Sequence, residues 1–269
     1  FKSGVPLINM KEYPTPYKES FMDFNTADRK EVAYAMAQLA KEAYIDHCGG
    51  TFKDYGLDTD YRMITKDSAY GHLACNDKYL IITFRGTSDI NDVIADIDFI
   101  KKTNGPGKVH EGFRREARKL YPIVLDYIKK YPNRQIYVVG HSLGGAMATY
   151  MAQEIKWLGL GDPILYTFGS PRLGDKDFVE AMNVTHLRFV NCCDAVPHVP
   201  PAATGFTHHG ELHYINYYGF IRDLTRWQRV KDWWRSHYFS LKSGKFFSDL
   251  KDHFMDNYIH KIDHHRKNG

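Results

Sequence analysis

Residues 136–149 read Ile-Tyr-Val-Val-Gly-His-Ser-Leu-Gly-Gly-Ala-Met-Ala-Thr, and this stretch constrains the fold more than any other. A β-branched apolar run, Ile136 to Val139, stops at Gly140-His141-Ser142-Leu143-Gly144 and passes into small residues compatible with a helix. The order is strand, sharp turn, helix, with Ser142 at the apex. Such a turn forces the serine backbone into a strained conformation that lifts its hydroxyl above a sheet. Gly140 and Gly144 carry no Cβ, so strand and helix can close against each other around it. The bare G-x-S-x-G pattern is weak, and the strand before it and the helix after it give it its strength.

The chain has 269 residues, enough to bury one sizeable core, and one α/β domain over 1–269 is the natural reading. Strands are expected at 61–65, 69–75, 78–84, 135–139, 163–169, 186–190 and 212–217, with Leu80 to Phe84 as a buried central one. Helices are expected after Thr26 as N-cap, ending at Gly49-Gly50, then at 111–130 with a local irregularity at Pro122, at 145–157 and at 175–182. Two more are expected at 221–241 and 246–262, and the proline-bearing residues 1–25 read as an extended arm. Strands alternating with helices predict a mostly parallel sheet covered on both faces.

A net charge of +4 is too small to argue for nucleic acid. No apolar run nears the roughly 18 residues that span a bilayer. The residues given start at Phe1 and hold no signal peptide, which leaves a secreted and a cytoplasmic location both open. Cys48, Cys75, Cys192 and Cys193 form neither a disulfide nor a zinc framework, and reduced thiols are expected. No pattern sets an oligomeric state.

A serine needs a histidine base oriented by a carboxylate. In α/β-hydrolases these follow in the order Ser, Asp or Glu, His, with the acid just past a later strand. Asp194 leaves the strand Leu187-Arg188-Phe189-Val190 and is the candidate acid. The base must come after it, from His198, His208, His209, His213, His237, His253, His260, His264 or His265. His208, His209 and His213 lack accompanying acidic or sulfur ligands, so no metal is expected. His253 stands near the start of the last helix, where a loop can hang it above the sheet.

Several spaced motifs resemble the fungal-type class 3 triacylglycerol lipases. They are Ile82 to Thr87, Val109 to Phe113, Val139 to Ala146, Gly169 to Gly174, Asp194 to Pro201 and Gly205 to His208. The resemblance covers roughly residues 28–262 and implies an α/β-hydrolase fold with a short lid. By position it implies Ser142 as nucleophile, Asp194 as acid and His253 as base. The family pattern of Asp-His followed by Tyr puts Tyr258 at a long spacing, so His260 stays a minor alternative for the base. The backbone N–H of Leu143 is one expected oxyanion donor. The resemblance implies Thr87 as the second, with Asp96 orienting its hydroxyl, and it implies no cofactor or metal.

Ile90, Val93, Ile94 and Ile97 share one helical face, and the resemblance makes 88–96 a lid that meets lipid when open. A small fixed helix fits the same pattern. Residues 220–241 depart from the family. Ile221, Leu224, Trp227, Val230, Trp234, Tyr238 and Leu241 alternate with Arg222, Arg226, Arg229, Lys231 and Arg235. Such a helix suits a lipid–water interface, packing against its own protein, or one wall of an acyl pocket. The expected activity is hydrolysis of carboxylic esters, foremost acylglycerols. Soluble or aromatic esters (as for feruloyl esterases), phospholipids or galactolipids, and an inactive lipid-binding scaffold remain as rivals.

Overall fold

The structure is a computed structural model and describes residues 21–45, 49–87, 100–242 and 252–269. The lid segment 88–96, Cys48 and most of the arm 1–25 lie outside the described residues. The part of the arm that is described is pinned inward. Phe24 is buried, with its ring 4.9 Å from that of Tyr79 and 5.7 Å from that of Tyr137.

Seven strands build one sheet, β1 (Asp60–Lys66), β2 (Ala69–Cys75), β3 (Tyr79–Phe84), β6 (Gln135–His141), β7 (Ile164–Phe168), β8 (Thr185–Asn191) and β9 (Glu211–Ile215). They lie side by side in that order. The first two pairings are antiparallel, and those from β3 to β9 are parallel. A separate hairpin, β4 (Lys101–Asn104) with β5 (Gly107–His110), had no alternating apolar signal.

Helices cover both faces, as parallel strands require. On one face lie α3 (Glu111–Lys130) and α4 (Leu143–Trp157), packed on Leu73, Leu80, Ile82 and Val138. On the other, α1 (Arg29–Glu42) and α7 (Met255–Asn268) cover Ile81, Tyr137, Val139 and Phe168. Shorter helices are α2 (Gly50–Asp54) and α5 (Lys176–Ala181), while α6 (Arg226–Lys242) lies near the β9 edge. This is an α/β-hydrolase arrangement.

Several boundaries differ from the sequence reading. Asp28, not Thr26, caps α1 by accepting from the Lys30 N–H at 2.8 Å, and α1 ends at Glu42, before Gly49. The helix α3 runs unbroken through Pro122. The helix expected at 221–241 starts only at Arg226, because Ile221 bridges back to Ile215 at the end of β9. The last helix starts at Met255, so His253 sits in the turn before it. No helix among the described residues is long and apolar enough to cross a membrane.

Candidate active site

Between β6 and α4 the chain turns through Ser142 at φ 58° and ψ −134°. That conformation is rare for a side-chain-bearing residue, and it persists only where surrounding structure holds it. Here the Ser142 N–H donates to the Phe168 carbonyl at 3.1 Å. A Cβ on Gly140 would overlap the Gly144 carbonyl, and one on Gly144 would overlap the Phe84 carbonyl. Strand and helix therefore close to a distance only glycine allows. The N-terminus of α4 stands at Ser142, with its positive dipole end toward any charge formed there.

Asp194 leaves the turn after β8 and is buried. Both of its oxygens lie 2.9 Å from His253 Nδ1. Oδ1 also accepts from the Val196 N–H at 2.9 Å, and Oδ2 from the Tyr258 hydroxyl at 2.7 Å. Tyr258, fully buried on α7, in turn accepts from the Asn191 N–H at 3.0 Å. With the carboxylate fixed at Nδ1, the free ring nitrogen of His253 is Nε2, the one a base would use. Both His253 Nε2 and Ser142 Oγ are buried and make no hydrogen bond in this structure. An orphaned polar atom in a dry interior costs about 1–3 kcal/mol. Both atoms are thus left with unused hydrogen-bonding capacity in the interior.

Gly169 spaces this pair. It follows Phe168, which holds the Ser142 N–H, and adopts φ +57°. A Cβ there would lie 2.5 Å from Asp194 Oδ2 and 3.1 Å from His253 Cε1 and Nδ1. Gly169→Ala should displace the acid–base pair and reduce turnover by about 100-fold, the effect of an ångström-scale misplacement. Steady-state rates on a soluble ester check this, and an unchanged rate would refute the spacing role.

Behind the triad candidates runs a second chain of hydrogen bonds. The Gly86 N–H donates to the Tyr44 hydroxyl, which lies 2.7 Å from His141 Nδ1. His141 Nε2 lies 2.6 Å from the His253 carbonyl. Since a carbonyl only accepts, His141 carries its proton on Nε2 and accepts a hydrogen bond from the Tyr44 hydroxyl at Nδ1. Burial holds His141 well below its ordinary pKa, and the nearby His253 lowers it further. It is thus a neutral strut between the 86–87 loop and the His253 turn.

Gly86 lies against the Ser142 side chain and the His141 carbonyl. Thr87 follows it directly and is half-buried. Leu143 opens α4. The loop and the helix end thus bracket Ser142 from two sides. Asp96 and the lid residues Ile90, Val93 and Ile94 lie outside the described residues. Of the other histidines, His208 Nε2 donates to the Pro197 carbonyl at 2.7 Å, His209 stacks on His186, and His213 stacks on Phe189. His260 lies on α7, and the groups that hydrogen-bond to the Asp194 carboxylate are His253, Tyr258 and the Val196 N–H.

The family model for "Lipase (class 3)" matches residues 81–204. A lipase of Rhizomucor miehei is 37% identical over 183 residues, which are 63% of this chain and 50% of that protein. The solved triacylglyceride lipase of Rhizomucor miehei superposes with a TM-score of 0.59 at 30% identity, covering 70% of this chain and 82% of that one. The chain belongs to the class 3 lipase family. A "secreted mono- and diacylglycerol lipase A" of Penicillium cyclopium is 27% identical over 77% of both chains. The chain spans about half the length of the first curated lipases it matches.

The stretch matched by the class 3 lipase model contains Gly86, Thr87, Ser142, Gly169 and Asp194, but ends before His253 and Tyr258. The base therefore rests on geometry. Sequence reasoning gave no role to Tyr44, His141, Gly169 or Asn191. The Tyr258 spacing was the one trace of its hydrogen bond to the acid.

Proposed function

We propose that the chain hydrolyses carboxylic esters of acylglycerols with Ser142 as nucleophile, His253 as base and Asp194 as acid. The observation that carries this reading is the strained Ser142 with its hydroxyl unpaired, together with His253, whose Nδ1 is held at 2.9 Å by a buried carboxylate and whose Nε2 is likewise unpaired. Ser142 Oγ attacks the ester carbonyl while His253 Nε2 takes its proton. The N–H groups of Leu143 and Thr87 hold the oxyanion, with Asp96 steadying the Thr87 hydroxyl. The intermediate collapses, His253 returns the proton to the departing alcohol, and water then cleaves the acyl-enzyme by the same route. Asp194 stays ionised and stabilises the imidazolium. No cofactor enters the cycle.

The substrate meets the protein at a lipid–water interface, through Ile90, Val93 and Ile94 of the lid segment and through α6. The exposure along α6 favours this role over packing. Trp227 is 75% exposed, Trp234 64% and Tyr238 62%, whereas the buried positions among the described side chains of the helix are polar, Asp232 and Ser236. A helix that turns its aromatics outward and its polar groups inward, flanked by Arg226, Lys231 and Arg235, suits adsorption to an anionic surface.

Hydrolysis rate measured against tributyrin concentration across its solubility limit tests the reading. A jump once droplets appear is expected. Saturation below the limit with no further rise would make the chain an esterase for soluble esters. Trp227→Ser with Trp234→Ser should lower the droplet rate about tenfold and leave the rate on a dissolved ester unchanged. Equal loss on both substrates would refute the interfacial role.

A further inference from the structure

A cavity of about 760 Å³ opens beneath the 196–208 loop, and neither Ser142, Asp194 nor His253 lines it. In β8 successive side chains alternate between faces. Phe189 and Asn191 face the α7 side, where Asn191 reaches Asp252 and Phe189 packs with Phe168. Arg188, Val190 and Cys192 point to the opposite side, into the cavity.

Four arginines line this space, Arg172, Arg188, Arg226 and Arg229, and no carboxylate does. Arg172 is committed, donating to the carbonyls of His198 and Pro200. Arg188 has its Nε fully buried and without a hydrogen bond. Arg226 and Arg229, in the first turn of α6, form no ion pair with any described residue. The carboxylates nearby are used or turned away. Asp232 is buried and takes the Tyr217 N–H at 2.9 Å, the Tyr214 hydroxyl at 3.3 Å and Arg235 at 3.5 Å. Glu211 lies 3.4 Å from His213, and Asp223 lines an adjoining hollow without pairing with Arg229.

The arginines feel one another. Burial pulls Arg188 down to about 10, and the charges of Arg172 and Arg229 lower it further. His198 and His208 on the same wall are also held below their ordinary pKa, burial first, so they add no positive charge near neutrality. Arg188, its Nε buried and the like charges of Arg172 and Arg229 beside it, sits unfavourably without a carboxylate unless an anion joins it. A guanidinium fork matches the planar or tetrahedral oxygens of such an anion. Val190, Leu212, Val230 and Trp233 give the cavity an apolar stretch of wall, with Thr207 and Tyr214 also on its lining. Head and tail chemistry thus meet in one cavity of a size that takes a single small amphiphile.

We propose that this cavity binds an acid-headed, single-chain lipid. The carboxylate or phosphate oxygens rest on Arg188, Arg229 and Arg226, and the alkyl chain lies along Val190, Leu212, Val230 and Trp233. This site is separate from the ester-hydrolase reading and stands without it.

Calorimetric titration of the full chain with laurate, dodecyl phosphate, inorganic phosphate and decanol tests the assignment, since none of these carries a carboxylic ester to hydrolyse. Saturable binding of laurate or dodecyl phosphate is expected, and the tighter of the two identifies the acid head. Decanol and inorganic phosphate should each bind at least tenfold more weakly. Arg188→Gln and Arg229→Gln should each weaken the acid-headed ligands about tenfold. Arg229 lies on a partly exposed helix face, so its variant keeps the test open if Arg188→Gln does not fold. Binding that survives Arg229→Gln unchanged puts the ligand elsewhere, the Ser142 cleft included, and overturns the proposal. Phosphate binding as tightly as dodecyl phosphate overturns it too.

Discussion

Ser142→Ala is expected to lower turnover on a dissolved ester by about 10⁶-fold, the cost of removing a nucleophile from a triad that acts as a unit. The geometry explains why no neighbour can substitute. Ser142 sits at φ 58° at the N-terminus of α4, while the Ser170 hydroxyl is buried and donates to the Pro171 carbonyl and the Tyr258 hydroxyl donates to Asp194. The variant should fold normally, because Ser142 Oγ makes no hydrogen bond that alanine would lose. Asp194→Asn probes the other end. It keeps the shape but can hold His253 in the wrong tautomer, with a loss on the order of 10⁴-fold. Rates for both variants, beside their urea midpoints, separate chemistry from folding. A Ser142→Ala chain that keeps even one per cent of activity would remove Ser142 from the role of nucleophile.

The second large effect is on stability in mild acid. His141, His186 and His208 are held neutral in the folded chain, their pKa values well below the ordinary value, and burial is the first cause for each. In the unfolded chain the same histidines titrate near 6.5. Below that pH the unfolded state binds three protons that the folded state refuses. Stability is therefore fully present above about pH 6.5 and lost as pH falls. The slope reaches about 4 kcal/mol per pH unit once all three are charged in the unfolded chain. Against a typical total of about 5–15 kcal/mol, two units of acid bring the chain close to unfolding. Urea midpoints followed by circular dichroism from pH 7.5 to 5 check this. His186→Gln, which retains a partner for the Thr167 hydroxyl now 2.8 Å from His186 Nε2, should lower the slope by about a third. Midpoints flat across that range would show that these histidines titrate alike in both states.

What could be read from the residues follows from how local each signal is. The turn at Ser142 was legible because strand, glycines and helix lie within 14 residues, 136–149, and each step constrains the next. The seven strands of the main sheet were legible to within two residues because apolar runs mark them, whereas β4 and β5 carry no such run. The cap of α1 was misplaced because Thr26 and Asp28 are both good N-cap residues, and only the backbone angles choose between them. Helix α6 shows the limit of periodicity. The spacing of Trp227, Val230, Trp234 and Tyr238 identifies a face, yet nothing in it says whether that face meets protein or water. The supports of the site were hidden for another reason. Tyr44 meets His141 across 97 positions, and Tyr258 meets Asp194 across 64. No local pattern encodes such pairs, because packing of the whole chain makes them.

The docking of α7 has a consequence for how the molecule is born. Under the proposed chemistry, the base and the tyrosine that braces its acid, His253 and Tyr258, belong to a stretch that leaves the ribosome after the Ser142 turn and Asp194. Until that stretch seats on α1, where Arg266 grips Glu31 at 2.9 Å, the sheet and the Ser142 turn can form but hold no working proton relay. Under that chemistry a chain still being translated is silent toward the membranes around it, and a stop before His253 yields a mute protein.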